Sequence, residues 1–138
     1  MIWKAAEMLT TKCVWSPIDK KRDGVRILVT RFRGRRLPKT RYDVWMPKLG
    51  PSEKLLRAFS NEKIKWPEFV RRYREEMFTD GSVDKKNATI KNHVQNFTLR
   101  LIKRLARSGN VTLMCHCREE QEHCHRHVLR RIIEGKQI

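Results

Sequence analysis

Apolar positions along the chain change their period several times, and the changes mark out the elements. Val25-Arg26-Ile27-Leu28-Val29-Thr30 and Val111-Thr112-Leu113-Met114-Cys115 are short, branched runs. Gly24 precedes the first and Ser108-Gly109-Asn110 the second, so both are predicted to be buried strands. Thr11-Lys12-Cys13-Val14 is a further candidate strand, and Trp3 to Leu9 reads as a short helix ahead of it. Between the two clear strands the period becomes helical. Ser52 caps a helix that buries Leu55, Leu56 and Phe59, and Trp66-Pro67 starts another with Phe69, Val70, Tyr73 and Met77 as its stripe. The longest helix is predicted from Asp84 to Ser108, with Ile90, Val94, Phe97, Leu101 and Leu105 inward and Gly109 as its stop. A last helix opens at Cys124-His125-Arg126 and buries Val128, Leu129, Ile132 and Ile133.

Strand, several helices, strand, helix is the order of the α/β class. It predicts a small, mainly parallel sheet with helices packed on it, three-layer and Rossmann-like, as a single domain over residues 1–138. Val25–Thr30 and Val111–Met114 are expected to run parallel in one sheet. Ligands of such sheets bind beyond the carboxyl ends of the strands, so whatever follows these two strands is the candidate site.

Charge sharpens the choice of ligand. Thirty-two Lys and Arg against fifteen Asp and Glu leave +17, and Lys20 to Arg41 contains ten basic residues and one acidic, Asp23. A field of that size concentrates polyanions, so the expected partner is nucleic acid or a phosphorylated ligand. The first strand is followed by Arg31, Arg33, Arg35 and Arg36, whose planar forks suit phosphate. Trp15 and Trp45 are candidates for base stacking. No helix-turn-helix, finger or Gly-rich nucleotide motif points to sequence-specific recognition. No apolar run approaches a membrane span and the first residues lack a secretory segment, so the expectation is a cytoplasmic protein with no membrane partner. Oligomeric state is left open.

Candidate chemistry concentrates between Val111 and His127, which hold three of four cysteines and four of five histidines. Three readings apply. In the first, which is favoured, Arg31, Arg33, Arg35, Arg118, His125 and Arg126 form an anion-binding rim. In the second, a thiol-dependent enzyme acting on a small molecule, Cys124 at a helix N-terminus is a nucleophile of lowered pKa and Cys115 its partner. In the third, Cys115, Cys117, His123, Cys124 and His127 hold zinc. His123 and His127 lie one helical turn apart, whereas His125 and His127 do not share a face. His123-Cys124 followed by Arg130 matches the spacing of cysteine phosphatases, but the intervening residues contain no glycine and continue a helix. Cys13 stands alone and is expected to pack.

A family resemblance runs nearly end to end. Ser16-Pro17, Asp23 to Arg31, Trp45, Leu49-Gly50-Pro51-Ser52, Trp66-Pro67-Glu68-Phe69, Arg72-Tyr73 and Glu75-Glu76-Met77 together resemble the proteins grouped as domain of unknown function 488. The Val111–Cys115 strand and the Cys124-His125-Arg126 triplet are similar to one branch of that family. Where the family usually shows a Trp-Pro-Arg-Gly turn after Arg31, this chain has Phe32-Arg33-Gly34-Arg35. The resemblance implies a compact α/β domain.

Overall fold

The computed structural model describes residues 8–84 and 92–138. Four strands, β1 (Leu9–Cys13), β2 (Val25–Leu28), β3 (Val44–Trp45) and β4 (Val111–Cys115), form one sheet in the order β1-β4-β2-β3. All pairings are parallel, with Leu113 opposite both Thr11 and Ile27. The expected parallel relation of the two main strands therefore holds, and they are neighbours. β4 is buried at every position, as an interior strand covered on both faces must be. The ladder between β2 and β4 extends past Leu28, since Val29 N–H donates to Met114 O at 2.9 Å.

Side-chain alternation divides the core in two. Leu9, Ile27, Val29, Val111 and Leu113 point to one face and are covered by α2 (Glu53–Ser60), α3 (Trp66–Met77), α4 (Gln95–Ser108) and α5 (His125–Glu134) through Leu55, Phe69, Tyr73, Met77, Leu99, Ile102, Leu129 and Ile133. The other face carries Leu28 and Met114, packed with Val14, Leu37, Tyr42 and Trp45. The short α1 (Lys20–Asp23) also lies there, tied down where Thr112 Oγ1 donates to Asp23 O at 2.7 Å. The third layer is thus one helical turn and a loop. Gly24 makes the connection from α1 to β2: its φ is +61°, and a Cβ would stand 1.9 Å from Asn110 O. Only glycine passes there.

Several elements differ from the sequence expectations. β1 begins at Leu9, which was expected to end a helix; residues 3–7 of that expected helix lie outside the described residues. The two-residue β3 was not foreseen. α4 starts at Gln95 rather than Asp84, and Ile90 lies outside the described residues. α4 is also rotated: Phe97, Leu101 and Leu105 are exposed, while Gln95, Thr98, Leu99, Ile102 and Ala106 are buried. The helix carries two apolar stripes, so periodicity alone could not select between them. Polar anchors did. Gln95 Nε2 donates to Glu76 O and Gly81 O, and Lys103 Nζ donates to Gly135 O and Ile138 O, which fixes the rotation.

Candidate functional site

β4 ends at Cys115 and the chain returns through residues 116–123 to Cys124, the N-cap of α5, whose backbone is extended (φ −132°, ψ 140°). Strand end and helix start are thereby brought face to face. Cys115 Sγ and Cys124 Sγ are 3.0 Å apart, and the sulfurs of Cys115, Cys117 and Cys124 all lie within 4.8 Å of one another. Cys115 and Cys124 are buried, whereas Cys117 is half-buried. Cys13 lies beside Cys115 in the sheet register but outside this group, with its N–H donating to Glu119 Oε1.

Arg126, in the first turn of α5, holds the loop in shape. Its guanidinium is fully buried and donates to Cys115 Sγ (2.9 Å), Cys117 O (3.0 Å), Arg118 O (3.0 Å) and Glu119 O (3.3 Å). Such a fork satisfies three loop carbonyls that would otherwise be orphaned. Arg126 was expected on an anion-binding rim, and its burial removes it. The same correction applies to Arg31, which is buried and donates to Gly50 O and Pro51 O while pairing with Asp84 at 3.2 Å. Gly50 permits that approach, because a Cβ there would meet Arg31 N at 2.4 Å. Arg33 is half-buried, bonded to Tyr42 Oη and to Leu37 O. Arg35, Arg36 and Arg118 are the exposed arginines of the two loops.

The histidines sort differently from the expected zinc set. His123 stacks on Trp66 at 4.7 Å, and His127 contacts Gln121 O and Thr11 Oγ1, so neither joins the thiols. His125 does. Its Nδ1 is 3.9 Å from Cys124 Sγ, its Nε2–H donates to Val29 O at 2.7 Å, and Tyr73 packs edge-on against the ring. The one-turn spacing of 123 and 127 misled because Cys124 is an extended N-cap, so His123 lies outside the helix. The residues that do meet read in the sequence as Cys-x-Cys followed by Cys-His.

Burial holds the His125 imidazole down to about 4, in the neutral form. As thiols, the three sulfurs share their protons unevenly. Hydrogen bonds from Cys115 and then Cys124 pull Cys117 down to about 2, the bond to Cys117 raises Cys115 to about 11, and bonds to Cys115 and Cys117 raise Cys124. The lowered pKa expected at Cys124 is therefore reversed: it is buried among sulfurs that need its proton. Cys117, which sequence reasoning passed over as a nucleophile, is the sulfur nearest the surface.

The rim itself is assembled as the parallel pairing requires. The loops that follow β2 and β4 leave the sheet side by side, and His116 Nε2 donates to Arg33 O at 2.9 Å across them. Trp45 is not free for stacking, since its Nε1 donates to Thr30 O; Trp15 is half exposed and lies under the Arg41 guanidinium.

Fold and site define a small parallel α/β domain with a cysteine cluster at the carboxyl edge of its central strand. A family model described as DUF488-N3a, the active DUF488-N3 subclade, matches residues 9–137, and the chain belongs to that family. No curated protein and no solved structure matches it. No helix among the described residues is long and apolar enough to cross a membrane.

Proposed function

We propose that the domain binds an anionic, phosphate-bearing ligand, nucleic acid or another phosphorylated molecule, on the rim at the carboxyl ends of β2 and β4. The observation that supports this most is the side-by-side exit of the two loops, linked by the His116–Arg33 bond, with Arg35, Arg36 and Arg118 exposed on them. The net charge of +17 favours a polyanion. Among the described residues the guanidinium groups of these three arginines have no hydrogen bond or ion pair competing for them, unlike those of Arg31, Arg33 and Arg126. Of the three glutamates on the second loop, Glu119, Glu120 and Glu122, the first is occupied by Cys13 N–H and Ser16 Oγ.

Fluorescence anisotropy with a short labelled duplex tests this. Binding is expected at low salt and is expected to weaken steeply as salt rises. Replacing Arg35, Arg36 and Arg118 together by Ala reduces the salt slope by about 2–3, since each phosphate contact contributes about 0.9. Absence of binding at low salt, or a triple variant that binds like the parent, rejects the rim. A thiol-dependent reaction is the second reading, favoured by the family's description as active and by the partial exposure of Cys117.

A further inference from the structure

We propose that Cys115, Cys117 and Cys124 hold a zinc ion, with His125 Nδ1 as the fourth ligand. The inference rests on the reading above only in taking the thiol cluster as the centre of the site.

Geometry carries it. Three sulfurs from one strand end, one loop and one helix N-cap lie within 4.8 Å of one another. Zn–S bonds of about 2.3 Å in a tetrahedron place sulfurs about 3.8 Å apart, inside the range this cluster spans. His125 is already oriented for the task. Its Nε2–H is committed to Val29 O at 2.7 Å, a carbonyl that can only accept, so a neutral ring directs the Nδ1 lone pair to the side where Cys124 Sγ stands at 3.9 Å. A ligating histidine whose other ring nitrogen donates to a backbone carbonyl is the usual outer-shell arrangement.

Charge agrees with geometry. The Arg126 guanidinium is buried with no carboxylate at ion-pair distance among the described residues, and it touches Cys115 Sγ at 2.9 Å. Three thiolates and one neutral imidazole around Zn²⁺ leave a single negative charge, which that guanidinium balances. Soft sulfur ligands in a tetrahedral set select zinc among the divalent ions of ordinary supply. Binding forms three Zn–S bonds and one Zn–N bond, each proton still held by a ligating thiol passes to solvent, and no electron moves. The ion would join β4, the 116–123 loop and α5, and through His125 the end of β2, so it would brace both loops of the rim.

The test uses the full chain, purified under reducing conditions, with zinc measured by elemental analysis and the site probed by cobalt(II). Expected results are a single equivalent of zinc and, after exchange, sulfur-to-cobalt charge-transfer bands with tetrahedral ligand-field intensity. Cys13→Ser should keep both. Cys117→Ser, altering the half-buried ligand and so the variant most able to fold, should weaken metal affinity by at least about 10-fold, and His125→Ala should do so while shifting the ligand-field bands. Reduced protein without zinc that shows no cobalt charge transfer overturns the proposal. So does a Cys115–Cys124 disulfide in the purified chain, or a Cys117 that alkylates equally fast with and without chelator. Bands unchanged in His125→Ala overturn the fourth ligand. Anisotropy on the same samples separates the two ideas: duplex binding without metal leaves the rim standing alone, and metal without duplex binding leaves the zinc site standing alone.

Discussion

Two buried arginines, one beyond each central strand, do similar mechanical work in different electrostatic settings. Arg31 follows β2 and grips the carbonyls of Gly50 and Pro51; Arg126 stands beneath the end of β4 and grips those of Cys117, Arg118 and Glu119. A buried cation needs a counter-charge, and removing it is costly. Arg31 has Asp84 at 3.2 Å and Glu76 nearby, and burial nevertheless lowers its pKa. Arg126 has sulfur at 2.9 Å instead. The first arrangement is a structural clamp whose counter-charge comes from protein carboxylates. The second depends on negative charge held by cysteines, and that is the reason to look for chemistry at β4 and architecture at β2.

The comparison breaks most readily through the arginines themselves. Arg31→Met strands Asp84 and Glu76 without their cation and is expected to cost about 3–5 kcal/mol in urea unfolding at neutral pH. The deficit should shrink as acid brings the pH down through the raised pKa at which Glu76 protonates. Arg126→Met is also expected to be strongly destabilising, but acid at that pH should relieve it less, because among the described residues no carboxylate lies at ion-pair distance from Arg126 and sulfur is its close anionic neighbour. Equal acid rescue of both variants would abolish the distinction.

Next in size is Gly50→Ala. The added Cβ meets Arg31 N at 2.4 Å, backbone against backbone, so the 47–52 segment must move and about 2–3 kcal/mol is lost. Its effect on zinc content should be nil, which a combined melt and metal assay checks.

Glu76 tests the carboxylate side. Burial raises its pKa although Ser52 N–H and Oγ both donate to it. Because the folded chain holds the proton longer than the unfolded one, this group's contribution falls as pH rises from the ordinary carboxyl value through the raised one. Glu76→Gln should remove that slope from a stability profile measured across the window. A slope that persists would place its origin elsewhere.

Smallest of all is the effect on stability of Arg35→Ala or Arg118→Ala. Both side chains are exposed and, among the described residues, unpaired, so stability should change by no more than about 0.5 kcal/mol, while duplex binding weakens. Arginines important to binding and arginines important to folding are thereby separated by one pair of assays.

Residue type and local period were enough to establish the parallel pairing of Val25–Leu28 with Val111–Cys115, the capped helix at Ser52, and the meeting of Cys115 with Cys124. These follow from interactions within a few residues, or from the rule that a wholly apolar run must be covered on both faces. Tertiary contacts decided the rest. Which stripe of α4 turns inward depends on Gln95 finding carbonyls at Glu76 and Gly81, and which arginines leave the rim depends on carbonyls of loops that no period describes. That His125 rather than His123 or His127 joins the thiols depends on the extended N-cap at Cys124 and on Val29 O, 96 residues away. Spacing rules presuppose one regular backbone, and this site lies where a strand, a loop and a helix end meet.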